Sequence, residues 1–121
     1  MRLAIFGAGG MGREVADIVR RQMPGDCRWS SLVFVTDDPG PPVQGIPMVG
    51  PDALLPDDEI CFAVGSSAFR EKLAARFPGQ PLADVLSPTA LVSPSATIGA
   101  GATLCDYTVV NNSARIGRHF Q

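Results

Sequence analysis

An α/β domain with a small parallel sheet, followed by the first coils of a left-handed parallel β-helix, is what this sequence of 121 residues predicts. Three observations carry that expectation. The chain opens with a short apolar run that breaks into a glycine cluster and resumes as an amphipathic segment. A second apolar run ends in the same kind of turn. Beyond Asp84 the charge thins out, and an aliphatic residue returns at every sixth place.

The first strand is Leu3 to Phe6, and the helix after the glycines places Met11, Val15, Ile18 and Val19 on one face, opposite Arg13, Glu14, Asp17 and Arg20. Pro24 and Gly25 end that helix near Gln22. Leu32 to Thr36 reads as a second strand closing on Asp37 and Asp38, which completes a βαβ unit. Gly45 to Gly50 is too interrupted by proline for a central strand and suits a short one near an edge. Pro51 to Leu55 fits one helical turn. Ile60 to Val64 is a continuous apolar run, as expected of a strand buried on both faces. It stops at Gly65-Ser66-Ser67, where a serine can cap a helix carrying Phe69, Leu73 and Phe77 in register.

Gly7-Ala8-Gly9-Gly10-Met11-Gly12 satisfies the G-x-G-x-x-G pattern with a strand before it and a helix after it. Glycine there permits a tight turn and lets backbone approach a phosphate, while free N–H groups at the helix start face the anion. Asp37 or Asp38 is placed to accept hydrogen bonds from a ribose or a base. The competing reading is that the glycines only allow a tight turn and the aspartates only cap a loop. The pattern selects a nucleotide without naming it. Four strands before residue 80 are too few for the roughly six of a full dinucleotide domain, so the expectation is a small Rossmann-like domain holding one nucleotide.

In the second half Val92, Ile98, Leu104, Val110 and Ile116 stand six apart, and two places before each stands Ala90, Ala96, Ala102, Thr108 or Ala114. A six-residue period is the signature of a parallel β-helix, with the aliphatic residue inward and the small one at the corner. About eighteen residues make one coil, and at least three repeats are normally needed for stability. The expected division is therefore 1–84 for the nucleotide-binding α/β domain, whose ligand the resemblance below makes a nucleotide sugar, and 85–121 for the start of a truncated β-helix.

Composition narrows the partners. With 45% hydrophobic and 18% charged residues the chain can bury a core. A net charge of −2 offers no basic footprint for nucleic acid. No apolar stretch approaches the roughly 18 residues of a membrane span. Cys27, Cys61 and Cys105 form an odd set without a paired motif, and His119 is the single histidine, so no disulfide framework and no metal are expected and a cytoplasmic location fits. Cys61 reads as a small buried hydrophobe, and Cys105 as surface or corner packing.

Taken together, the glycine turn, Val35-Thr36-Asp37-Asp38, Gly45 to Gly50, Ala63-Val64-Gly65-Ser66-Ser67 with Arg70, and the hexapeptides from Ser87 onward make the chain resemble the bacterial sugar acyltransferases, such as sialic acid O-acetyltransferases and UDP-4-amino-sugar N-acetyltransferases. The resemblance implies that Gly7, Gly9, Gly10, Met11 and Gly12 line a nucleotide-sugar site. It implies that Asp37 or Asp38 meets the base or ribose, and that Gly65, Ser66 and Arg70 lie beside the diphosphate or sugar. Met11 stands where many members carry histidine, and Ser66-Ser67 where asparagines are common. It further implies an acyltransferase acting on a nucleotide-linked amino sugar or sialic acid, a UDP-sugar foremost, with acetyl-CoA as co-substrate at a site mostly outside this chain, and a homotrimer formed through the β-helix. The family's general base is a histidine on a later coil; His119 matches a turn position, so no catalytic residue is expected here. An NAD(P)-linked oxidoreductase fragment would explain the glycines and leave the hexapeptides unexplained. A non-catalytic nucleotide-binding assembly module is the third reading.

Overall fold

The computed structural model describes residues 1–23 and 25–121; Pro24, expected to end the first helix, lies outside the described residues. Four strands form a parallel sheet: β1 (Arg2–Phe6), β2 (Ser31–Val35), β3 (Met48–Val49) and β4 (Glu59–Phe62), in the order β3-β2-β1-β4. The proline-flanked β3 lies at one edge, where a missing N–H costs no ladder bond. Residues 81–83 cover the other edge, with Ile60 N–H donating to the Pro81 carbonyl and Ala83 N–H to the Ile60 carbonyl.

Alternation along β1 sends its side chains to two cores. Leu3 and Ile5 face α1 (Gly10–Arg20), packing with Val15, Ile18, Val19 and Trp29. Ala4 and Phe6 face α2 (Ser67–Arg76), packing with Leu73 and Phe77. The sheet is thus covered on both faces, which accounts for the unbroken apolar runs of β1, β2 and β4. Phe69 departs from the expected register: Leu73 is buried and Phe77 packs on Phe6 and Phe62, but Phe69 is 42% exposed. The first turn of α2 starts beyond the end of β4, so no sheet lies beneath Phe69.

The six-residue period becomes three parallel ladders. β5 (Val85–Leu86) pairs with β8 (Thr103–Leu104), β6 (Leu91–Val92) with β9 (Val109–Val110), and β7 (Thr97–Ile98) with β10 (Arg115–Ile116). Each partner lies eighteen positions further along, as in Val85 with Thr103, so three short sides close one coil. Ala90, Ala96, Thr108 and Ala114 each close a corner turn by donating to the carbonyl three residues back. Leu104 and Val110 point inward and are buried. Val92, expected inward, is 38% exposed, whereas its ladder partner Val110 is 5% exposed.

Turns of the second coil hold Tyr107, Ser113 and His119 at φ near +60° and Gly101 at +80°, again six apart. Side chains of the first coil accept three of these N–H groups, Asp84 from Gly101, Thr89 from Tyr107 and Ser95 from Ser113, while His119 N–H donates to the Ala100 carbonyl. One side of the coil packs on the α1 face of the sheet, where Val85 joins the core and Thr103 Oγ1 lies 3.5 Å from Cys61 Sγ. Cys61 is buried as expected, and burial pushes its thiol up to about 11.

Asp106 fastens this packing from outside. Arg21 at the end of α1 donates to both of its carboxylate oxygens at 2.8 Å, and the Ser87 hydroxyl donates to one of them. The Arg21 bonds, then the Ser87 bond, hold this carboxyl below its usual range. A depressed pKa contributes stability that is complete above the unfolded value and lost as pH falls through the folded one. Asp106→Asn is therefore expected to lower the urea midpoint near neutral pH, with the gap to wild type closing toward about pH 3, below the ordinary carboxylate value. A gap that stays constant across that range would contradict the contribution of the charge.

Candidate functional site

From β1 the chain moves to β2 and β3 on one side, then returns to β4 on the other, so the strand order reverses between β1 and β4. In open parallel sheets a ligand crevice forms at such a switch point, beyond the carboxyl ends of the strands. Here the two loops that diverge are 7–9 and 63–66.

Gly7 has φ +110°, and a Cβ on it would lie 2.7 Å from the Ala63 carbonyl oxygen. Glycine is thus what lets the two loops close on each other. A Cβ on Gly12 would lie 1.9 Å from the Gly7 carbonyl oxygen, so this glycine seats α1 against the turn. Gly9 and Gly10 have open space where a side chain would be. Gly9 caps α1 without a side chain, and Arg13 N–H donates to the Gly9 carbonyl, which leaves the N–H groups of Gly10, Met11 and Gly12 without intrahelical acceptors. The Met11 side chain packs against the core, so its part in any ligand site is its backbone.

Across the crevice, the Ser66 hydroxyl oxygen accepts from Phe69 N–H as the cap of α2, and its hydrogen remains available to donate. Gly65 is exposed beside it. Arg70 is turned to backbone: one terminal nitrogen donates to the carbonyls of Val64 (2.8 Å) and Gly65 (3.3 Å), and Nε donates to that of His119 (3.1 Å).

The two aspartates are unlike. Asp37 forms a bidentate pair with Arg76 at 2.5 and 3.0 Å, and this hydrogen bonding holds its carboxyl below the usual range. Arg76 also lies over Phe77, 5.2 Å from the ring centre. Asp38 is exposed and makes no ion pair among the described residues, while its N–H donates to Thr36 Oγ1. Sequence reading leaves the pair equivalent; the partner that separates them sits thirty-nine positions away on α2.

His119 occupies the expected turn, with φ +58° and its ring 5.3 Å from Phe62. Burial, then Arg118 and Arg70, lower its pKa. A cavity of about 630 Å³ lies between α2 and this turn, lined by Arg70, Glu71, Phe77, Leu82 and Arg118 among others. It does not include the glycine turn. No cluster of metal-ligating side chains occurs among the described residues, and none of their helices is long and apolar enough to cross a membrane.

Residues 2–77 match the family described as PglD N-terminal domain. The chain is 27% identical over 124 residues to the GDP-perosamine N-acetyltransferase of Escherichia coli O157:H7, a match covering 96% of this chain and 56% of the relative. The fold matches a mutant of perosamine N-acetyltransferase from Caulobacter crescentus in complex with CoA and GDP-perosamine. That match has a TM-score of 0.80 and 30% identity over 98% of this chain and 58% of that one. It also matches the acetyltransferase domain of PglB from Neisseria gonorrhoeae FA1090 in complex with acetyl coenzyme A, with a TM-score of 0.72 and 30% identity over 98% and 65%. The chain therefore spans between 56% and 65% of the length of these relatives. The glycine turn at the switch point and the four parallel strands lie within residues 2–77, and the chain belongs to the PglD N-terminal domain family.

Proposed function

We propose that the chain is the substrate-binding portion of an acetyl-CoA-dependent acetyltransferase acting on a nucleotide-linked amino sugar, with residues 1–84 holding the nucleotide and 85–121 beginning the β-helix. The observation that carries this reading is the glycine turn with free N–H groups at the switch point, standing next to an eighteen-residue coil. Gly10, Met11 and Gly12 N–H groups receive the diphosphate, Gly9 leaves it room, Gly7 lets the 63–66 loop close alongside, and the Ser66 hydroxyl beside Gly65 donates to a phosphate or sugar oxygen. Asp38 takes the ribose or base, since Asp37 is engaged by Arg76. The two relatives named for GDP-perosamine favour a guanine nucleotide over the UDP-sugar that the family resemblance suggests. In the reaction the sugar amine attacks the thioester carbonyl, a general base takes the amine proton, and the CoA thiol leaves. Neither that base nor most of the acetyl-CoA site belongs to residues 1–121.

Leu91, Val109 and Tyr107 are 67%, 60% and 81% exposed on the coil, which supports assembly into a homotrimer through the β-helix. Three free cysteines suit the reducing cytoplasm.

Calorimetry with a GDP-linked amino sugar, a UDP-linked amino sugar and NADH tests the reading. Sugar-nucleotide binding is expected. Tight NADH binding with none for either sugar nucleotide would sink it in favour of an oxidoreductase fragment. Gly10→Asp adds a control: the site has room for the side chain, and a carboxylate in the first helical turn favours the helix dipole. The variant should fold as well as wild type yet bind the diphosphate roughly tenfold more weakly through charge repulsion. Unchanged affinity would place the anion elsewhere.

A further inference from the structure

Arg70 sits on α2, but its three bonds leave that helix for two other segments. It donates to the carbonyls of Val64 and Gly65 in the crevice loop and to the carbonyl of His119 in the coil turn. The Val64 carbonyl also accepts from Gln121 Nε2 at 2.6 Å. The His119 ring lies against Phe62 on one side and over Gly101 on the other, where a Cβ would come within 2.6 Å of its Nδ1. Gly7, in turn, abuts Ala63 in the same loop. Residues 63–65 are therefore shared: one side borders the nucleotide crevice, the other is fastened to the coil.

We propose that Arg70 is a positioning residue that fixes the coil turn at 119–121 relative to the crevice loop, so that the sugar attached to the bound diphosphate is aimed along the coil. The proposal rests on the crevice reading above. Arginine suits the task because its planar fork supplies donors in several directions to carbonyls that diverge, whereas a lysine ammonium on a flexible stem meets them less well. The half-buried His119 carbonyl, deprived of Arg70 Nε, loses that partner and can replace it only by admitting water, which loosens the tie between the two segments.

The test compares wild type with Arg70→Met and Arg70→Lys in this chain by two measurements. Amide exchange at 63–66 and 119–121 should rise together by about tenfold in Arg70→Met while β1 and β2 stay protected, the mark of local opening. Calorimetry should find GDP affinity within about twofold of wild type but the GDP-linked amino sugar weakened about fivefold, the low end of energetic coupling between sites. Arg70→Lys should fall between, and it serves alone if the methionine variant does not fold. Faster exchange with an unchanged ratio of GDP to GDP-sugar affinity would make Arg70 merely structural and overturn the proposal. So would exchange at 119–121 that stays as in wild type. A wild-type chain that binds neither nucleotide sinks the crevice reading, and the exchange measurement still decides whether Arg70 ties the two segments.

Discussion

Gly12→Ala is expected to lower the stability of the chain by about 4 kcal/mol, a loss reserved for buried steric conflicts. The added methyl would lie 1.9 Å from the Gly7 carbonyl oxygen and 2.8 Å from its carbon. Neither atom can yield easily. Gly7 is itself at φ +110° and wedged against the Ala63 carbonyl, and its N–H is bonded to the Val35 carbonyl at 3.0 Å. Relief requires lifting the start of α1 from β1, which opens the contact of Val15 and Ile18 with Leu3 and Ile5. Gly10→Ala, two residues earlier, meets nothing within 4 Å and should be neutral or gain up to about 1 kcal/mol from helix propensity. Urea unfolding of the two variants reads the difference directly. Equal midpoints would show that the turn has slack enough to take a methyl group.

Leu104→Ala should cost about 3 kcal/mol, the usual range for emptying a leucine site in a core. Leu104 is 1% exposed, between the opposed sides of the coil. Leu86, its ladder partner in the preceding coil, is 43% exposed, and Leu86→Ala should cost only about 1 kcal/mol for the apolar area it covers. Residue type and place in the six-residue period are the same at both positions, so the contrast isolates the effect of burial. If both variants lost equal stability, burial within the coil would not be the source.

Local features were legible in the sequence because their causes are local. Gly7 to Gly12 announce a turn by φ and close approach, and Pro47 keeps β3 at an edge. The period of Val92, Ile98 and Leu104 reports a side length of six whatever lies around it. Phe69 was misread for the opposite reason: helical spacing says which residues share a face, but not how far the sheet extends beneath them. Arg70, Asp106 and Asp37 were opaque in the same way. Their partners are His119, Arg21 and Arg76, separated in sequence by 49, 85 and 39 positions. Arg70 was visible as a candidate but not its use, since a guanidinium suits phosphate and carbonyl oxygens alike.

The hydroxyls of Thr89 and Ser95, reaching forward to the N–H groups of Tyr107 and Ser113, give the coil a phase and a direction. As the chain leaves the ribosome, each turn finds its acceptor already laid down by the turn before, so growth can proceed as addition to a template. The same phase restricts how such a chain can change length. Loss of one residue within a side sets every later hydroxyl opposite the wrong amide. Gain or loss of a block of eighteen restores the match, so duplication of whole coils is the route by which this part of the molecule can lengthen without being rebuilt.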